Sequence, residues 1–252
     1  MPADATGVTV TFAGCGDAFG SGGRLQACIH LRPGGQRDAA LLDCGATSLA
    51  ALKRQGLDPN EIATVVVSHL HGDHFGGLPF LILDGQFHGR TRPLQVAGPP
   101  GIAARLRQAM EVMFPGSTGV TRRFEVTTAE LHPGTTTPLT NGEVTAWQAR
   151  HPSGAPPLIV RLDIGGRRIA YTGDTAWTDA IAAASDQADL LIAEAYTLDR
   201  EIRHHLSLST LALHRAELAC GRVVLTHLSD DVLDHPGEIA FEAAHDGLTI
   251  HI

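Results

Sequence analysis

One short segment constrains this chain more than any other. His69, His71, Asp73 and His74 lie within one six-residue H-x-H-x-D-H pattern that directly follows the apolar stretch at residues 64–67. A short valine-rich run of this kind predicts a buried β-strand. Imidazole nitrogens and carboxylate oxygens are common metal ligands. The segment therefore predicts a metal site at the end of a strand.

Three isolated residues after later predicted strands are of the same chemical kind. His151 follows a predicted strand at 144–150, Asp174 follows one at 168–172, and His227 follows one at 223–226. Together with the cluster they are too many for one tetrahedral ion, and they suit two ions that share a carboxylate and a water. The candidate metal ligands are His69, His71, Asp73, His74, His151, Asp174 and His227.

The composition fits a chain with one hydrophobic core. The 252 residues are 43% hydrophobic and contain no apolar run long enough to span a membrane. Residues 1–7 have neither the basic nor the apolar region of a secretion leader. The four cysteines form no C-x-x-C pair, which favours a reducing cytoplasm. We expect a single cytoplasmic domain over residues 1–252, without membrane insertion.

The predicted elements fall into two batches of strands, each bracketed by helices. Such an order indicates two β-layers packed together with helices outside. The glycine-rich segment at 14–23 lacks a following G-K-[ST], so we interpret it as a structural turn or a turn at the rim of a pocket, and not as a binding loop for nucleotide phosphates. Strands are predicted at residues 8–13, 25–31, 40–43, 64–67, 124–126, 144–150, 158–162, 168–172, 190–193 and 223–226, and helices at 47–55, 101–114, 180–185, 210–220 and near 238–245.

The order of the candidate ligands resembles the metallo-β-lactamase superfamily. Its hallmarks are H-x-H-x-D-H, then a lone His, a lone Asp and a final His, and every motif position is filled here. The resemblance covers essentially the full length and implies an α/β fold, a four-layer αβ/βα sandwich with mixed sheets. It implies that one metal is held by His69, His71 and His151 and the other by Asp73, His74 and His227, with Asp174 bridging them.

The same resemblance implies hydrolysis by a hydroxide that bridges two divalent ions, because coordination lowers the pKa of water from 15.7 to about 7. Redox-active relatives carry Glu at the position of His71, which favours a redox-inert ion here. Zn²⁺ is favoured, and Mn²⁺ or Fe²⁺ suit the same ligands. Asp43 matches a position that commonly supports a ligand histidine from behind, a role compatible with a turn-forming Asp before Gly45.

Two further residues resemble motifs of the ribonuclease Z-like phosphodiesterase branch. Glu194 ends the segment 188–194, and His205 precedes L-S-L-S-T. The resemblance implies that Glu194 orients His205, which then donates a proton to the leaving oxygen or binds the phosphoryl group. His204 leaves the register open, and both residues could instead lie on a solvated loop. The predicted catalytic residues are Asp73, His205 and Glu194.

A small phosphodiester is the predicted substrate, and extended nucleic acid is not expected. Residues 152–173 leave no room for the long arm with which tRNA-processing relatives clamp tRNA, and the net charge of −8 disfavours a polyanion. An arginine cluster could form a substrate rim, or could be ordinary surface charge. Its members are Arg90, Arg92, Arg105, Arg107, Arg122 and Arg123.

Other functions remain open from the sequence. The same hydroxide attacks carbonyl carbon, so a lactonase, another carboxyl-ester hydrolase, a thioesterase or a sulfatase is the alternative within enzymes. Glyoxalase-type thioesterases usually append a substrate-binding region, whereas only residues 228–252 follow His227. A non-catalytic metal- or ligand-binding member of the fold is the alternative from another class. Among similar proteins a homodimer is common, so the resemblance also suggests that assembly.

Overall fold

A computed structural model of the chain describes residues 7–252. The expectation that the N-terminus carries no leader concerns residues 1–6 and lies outside this range. Two seven-stranded sheets pack face to face within it. In spatial order, the first sheet consists of β14 (Thr249–His251), β1 (Val8–Gly14), β2 (Cys28–Pro33), β3 (Ala39–Leu42), β4 (Ile62–Val66), β5 (Leu94–Gly98) and β6 (Val126–Glu130).

The second sheet is built from the later part of the chain. Its spatial order is β13 (Glu242–Ala243), β12 (Val223–Thr226), β11 (Leu190–Glu194), β10 (Arg167–Tyr171), β9 (Leu158–Ile164), β8 (Gly142–Gln148) and β7 (Thr136–Leu139). Both sheets mix parallel and antiparallel pairs: β3, β4, β5 and β6 run parallel, as do β10, β11, β12 and β13.

Helices cover the outer face of each sheet. Leu52, Leu78 and Leu106 pack with first-sheet side chains such as Val65, whereas Ile181 and Leu211 pack outside the second sheet. The predicted four-layer αβ/βα sandwich with mixed sheets is thereby confirmed. The helices are α1 (Ser48–Arg54), α2 (Gly72–Phe75), α3 (Leu78–Phe87), α4 (Ile102–Met113), α5 (Asp179–Ser185), α6 (Leu208–Leu213) and α7 (Asp230–Leu233).

The central strands of this sandwich are apolar on both faces, and both faces are covered. In β12, Val224 belongs to the core between the sheets, whereas Val223 and Leu225 belong to the core under the outer helices. This alternation is the two-residue period of a strand. Each fully buried aliphatic side chain contributes about 1.5–3 kcal/mol relative to an exposed one. The continuous apolar runs of the sequence therefore correspond to strands that are buried on both faces.

Several predicted elements differ from the structure. The helix near 238–245 is wrong: residues 236–238 form a single 3-10 turn and Glu242–Ala243 is strand β13, which pairs with β12. The helix predicted at 210–220 ends as α6 at Leu213, and the strand predicted at 124–126 is Val126–Glu130. The sequence pattern also offered no prediction for α3 or β5. Because α3 is apolar almost throughout, it lacks the periodicity of an amphipathic helix.

The carboxyl ends of parallel strands bring the candidate site together. Asp43 follows β3, the histidine cluster follows β4, and these strands pair in parallel. Asp174 follows β10, Glu194 ends β11 and His227 follows β12 in the other sheet, again in parallel. Both sheets thus deliver polar side chains to one edge of the sandwich. Between residues 7 and 252, none of the helices has the length and apolar character needed to cross a bilayer.

Candidate metal centre

The first group of candidate ligands is a histidine triad. His71 Nδ1 lies 3.2 Å from His69 Nε2 and 3.1 Å from His151 Nε2. His69 and His151 are buried and His71 is half-buried. These three ligand atoms, on side chains from two sheets, are close enough together to bind a single ion. The triad presents three ring nitrogens of the kind that bind Zn²⁺.

The second group combines imidazoles with carboxylates. Asp73, His74, Asp174 and His227 present ligand atoms that all lie within 4.8 Å of one another. His74 Nε2 lies 3.1 Å from Asp73 Oδ2, and His227 Nε2 lies 3.3 Å from the same oxygen. His74, Asp174 and His227 are fully or almost fully buried.

Asp174 lies between the two groups. Its Oδ2 is 3.8 Å from His69 Nε2 and 3.9 Å from His151 Nε2. Its Oδ1 is 3.2 Å from His74 Nε2 and 3.5 Å from His227 Nε2. Each carboxylate oxygen thus faces a different group, which is the arrangement required of a bridging ligand.

Asp43 supports the centre from behind. Its Oδ2 accepts hydrogen bonds from His74 Nδ1 at 2.6 Å and from the Tyr171 hydroxyl at 2.8 Å. Ser68 donates to the same carboxylate through its backbone N–H at 2.7 Å and its hydroxyl at 2.8 Å. Asp43 and His227 both have positive φ, 60° and 57°. A non-glycine residue in this region is strained by its surroundings, and such residues concentrate at functional sites.

The residues fit a pair of cations. His74 Nε2 and Asp174 Oδ1 are buried and lie 3.2 Å apart, yet neither atom has the geometry of a hydrogen bond to any described residue. Burial would lower the pKa of His227, but Asp174 and the bond to Asp73 raise it to about 9. The carboxylates therefore create a negative potential that attracts positive charge. Burial and the charge of His74 instead hold the pKa of His69 well below its usual value, which keeps that ring neutral and able to bind metal.

Glu194 and His205 lie at the edge of the centre. Glu194 is fully buried, and its Oε2 accepts a hydrogen bond from His205 Nδ1 at 2.9 Å. The Thr175 backbone N–H donates to the other carboxylate oxygen. The His205 ring is 4.8 Å from the ring of His151. The structure thus places His205, and not His204, against Glu194.

His204 contributes its backbone instead of its ring. With φ of 72°, its carbonyl accepts a hydrogen bond from His151 Nδ1 at 3.0 Å. Tyr196 also reaches the site, with its ring 4.8 Å from that of His205. The sequence analysis missed Tyr196, Ser68 and Tyr171. Tyr171 reads as an ordinary core aromatic in a strand, and only the packing of the two sheets brings its hydroxyl to Asp43.

Most members of the arginine cluster do not form a substrate rim. Arg90 is 3% exposed and its guanidinium donates to the backbone carbonyls of Pro59 and Ile62, so it ties loops together. Arg92 pairs with Asp38, and Arg122 donates to the carbonyl of Ser117. Arg107 and Arg123 are exposed. Arg105 is exposed too and approaches Gly154, in the loop that follows His151.

A model of the beta-lactamase superfamily domain matches residues 39–228, a range that contains every candidate ligand. The chain belongs to the beta-lactamase superfamily. Ribonuclease Z of Methanosarcina acetivorans is 27% identical over 277 aligned positions, covering 89% of this chain and 88% of that enzyme. Human short-form tRNase Z has 25% identity and a TM-score of 0.78, covering 96% of this chain and 98% of that one.

A third protein is similar in fold alone. It is the metallo-beta-lactamase fold protein YhfI from Bacillus subtilis, with 20% identity, a TM-score of 0.77, and coverage of 98% of this chain and 100% of that one. The resemblance to the metallo-β-lactamase superfamily and its ribonuclease Z-like branch is therefore confirmed. The superfamily fold and the two clusters of His and Asp together indicate a dinuclear metal site.

Proposed function

We propose that this chain is a phosphodiesterase that acts on small phosphodiesters with two bound divalent ions. Its class as a metal-dependent hydrolase of phosphodiester bonds accords with its superfamily and its ribonuclease Z relatives. One observation carries the proposal: two ligand groups share Asp174, and His205 stands beside them on a buried carboxylate. A hydrolytic centre and a proton donor therefore lie at one edge of the sandwich.

We further propose Zn²⁺ as the ion at both positions. Three imidazoles in one group, and two imidazoles with one carboxylate in the other, suit this redox-inert ion. The holding residues would be His69, His71 and His151 on one side and Asp73, His74 and His227 on the other, with Asp174 between them. When bound, the ions would lower the pKa of a water and offset negative charge on the phosphoryl oxygens.

His205 is proposed as the proton donor to the leaving oxygen. Its Nδ1 donates a hydrogen bond to Glu194, so the proton available for transfer is the one on Nε2. Partial burial lowers the pKa of His205, but the hydrogen bond and charge of Glu194 outweigh it and raise the pKa above the usual value. This shift increases the fraction of imidazolium at a given pH, which is the form that a general acid requires.

The proposed substrate size conflicts with the names of the relatives. Those enzymes are called ribonuclease Z and tRNase Z, which points to extended RNA. Two features of this chain favour a small substrate. Only β9, β10 and short loops separate His151 from Asp174, and the net charge of −8 provides no broad basic surface.

Metal removal and replacement test the reaction class. We expect chelation to abolish hydrolysis of bis(p-nitrophenyl) phosphate, and two equivalents of Zn²⁺ to restore it more fully than Mn²⁺ or Fe²⁺. Elemental analysis should find two ions per chain. A lactone hydrolysed while every phosphodiester remains intact would overturn the proposed reaction. A 3′-extended tRNA precursor cleaved far more efficiently than a dinucleotide would overturn only the substrate size.

Replacement of His205 tests its role as proton donor. We expect His205→Ala to lower kcat by about 10²–10⁴ on a dinucleotide, whose alkoxide leaving group needs a proton. The loss should be much smaller on bis(p-nitrophenyl) phosphate, because p-nitrophenolate is a weak base. His132→Ala, at an exposed histidine outside the ligand groups, is the matched control. An equal loss on both substrates would show that His205 does not deliver the proton.

A further inference from the structure

A cavity of about 590 Å³ lies directly beside His205. Two arginines, Arg150 and Arg203, line it together with Trp177 and Thr210. Both arginines are exposed, whereas His205 is partly buried at the inner end. The cavity therefore leads from solvent to the proposed proton donor.

The position of the cavity indicates which part of the substrate would occupy it. The centroid of the His151 ring is 4.9 Å from that of His71, in the triad, and 4.8 Å from that of His205. The cavity is lined by His205 and its neighbours and not by the histidine triad. A group that departs towards the Nε2 proton of His205 would therefore occupy this space. It is the natural location of the leaving group.

The cavity wall has the chemistry of an anion and ring binding site. Guanidinium groups bind phosphate through paired N–H donors. Arg150 also donates to the Trp177 carbonyl at 3.3 Å, which helps hold its side chain along the wall. Trp177 stacks on His214 with ring centroids 3.9 Å apart and planes at 12°, so its indole is rigidly held. Glu201 also lines the cavity and partly offsets the two positive charges.

We infer that this cavity binds the leaving group of the phosphodiester and favours a leaving nucleoside that carries a second phosphate. The inference rests on the proposed phosphodiesterase function. Arg150 and Arg203 bind the second phosphate, and Trp177 provides an apolar wall for the base. These two arginines lie outside the cluster that the sequence analysis considered for a substrate rim.

Three thymidine dinucleotides test the preference with the Zn²⁺-loaded enzyme: TpT, TpTp and pTpT. Chromatography of the products shows which nucleoside leaves. We expect kcat/KM to rise about tenfold when the added phosphate is on the leaving nucleoside, mainly through a lower KM, and to change little when it is on the other. Arg203→Gln and Arg150→Gln should each remove most of this difference. Arg200→Gln, an exposed arginine of the same loop outside the cavity wall, is the matched control.

Each alternative result has a distinct meaning. If the added phosphate has no effect, or the same effect at either end, the inference is wrong while the phosphodiesterase remains. If no phosphodiester, including bis(p-nitrophenyl) phosphate, is cleaved with any ion, the proposed function fails. Calorimetric titration with thymidine 3′,5′-bisphosphate then decides the inference by itself. Binding about tenfold weaker in Arg203→Gln than in the control supports it, and equal binding overturns it.

Discussion

At the scale of single residues, the hydrogen bond made by Nδ1 of a candidate ligand histidine determines whether its Nε2 can bind a metal. His74 Nδ1 donates to Asp43 and His151 Nδ1 donates to the carbonyl of His204. His69 Nδ1 lies 3.1 Å from the Ser68 hydroxyl, which itself donates to Asp43. In each case the proton resides on Nδ1, so the Nε2 lone pair is available to a metal.

The Asp43 carboxylate allows a test of this arrangement. We expect Asp43→Asn to weaken binding of the ion held by His74 about 10- to 100-fold, because an amide holds the Nδ1 proton less strongly than a carboxylate. Calorimetric titration of the chelated protein with Zn²⁺ measures the two sites. Asp84→Asn removes another buried carboxylate, one that pairs with Lys53 on the outer helices, and should leave both affinities unchanged. Unaltered affinity in Asp43→Asn would contradict the supporting role.

At the scale of elements, the loop after β3 holds the short helix α2 in place. The Cys44 N–H donates to the His74 carbonyl at 2.7 Å, and the Gly77 N–H donates to the Cys44 carbonyl at 2.8 Å. These contacts require the two backbones to approach closely. A Cβ on Gly45 would lie 2.1 Å from the carbonyl oxygen of Asp73, a distance that side chains do not reach. The glycine is thus required where the metal-binding helix meets the neighbouring strand end.

Two glycine substitutions test this contact. We expect Gly45→Ala to lower the free energy of unfolding by about 1–3 kcal/mol and to reduce metal content, because the Asp73 backbone must move. Gly72→Ala, within the H-x-H-x-D-H motif itself, meets open space and should change stability by less than about 0.5 kcal/mol. Urea unfolding and elemental analysis measure both effects. Similar behaviour of the two variants would contradict the close-contact explanation.

At the scale of the whole molecule, three apolar cores stabilise the sandwich, one between the sheets and one under each helical layer. His30 is an exception within β2. It is 1% exposed, and neither ring nitrogen has a hydrogen-bond partner in the range 7–252. Burial, with a smaller effect of Arg32, lowers its pKa from 6.5 to about 4. The folded protein therefore holds this ring in its neutral form. The single-domain organisation over residues 1–252 stays a prediction.

His30 makes global stability depend on pH. Below pH 6.5 the unfolded chain protonates this ring while the folded chain does not, so stability falls as the pH drops from 6.5 to 4. The loss from His30 is at most about 3 kcal/mol. We expect His30→Leu to be less sensitive to acid than wild type over this range, as measured by urea unfolding at several pH values. His132→Leu, an exposed control, should retain the wild-type dependence, and a His30→Leu curve parallel to wild type would contradict the explanation.

The sequence by itself determined which residues are the candidate metal ligands and in what order they occur. A strand followed by H-x-H-x-D-H is a local pattern, and the order His151, Asp174, His227 after later strands can be read along the chain. The sandwich and the reaction class are what the family resemblance carried by that pattern implies. Asp43 and Glu194 were also identified, because they match positions that the resemblance implies are functional.

Only the tertiary structure decided which side chains meet. His204 and His205 are neighbours in sequence, and the backbone of the loop alone directs one ring to Glu194 and one carbonyl to His151. The sequence left open whether Arg90 binds substrate or is surface charge, and in the fold it is buried against backbone carbonyls, whereas Arg150 and Arg203 line the cavity. Such distinctions depend on sheet pairing and loop paths that join residues far apart in sequence, and a local pattern contains no information about those distances.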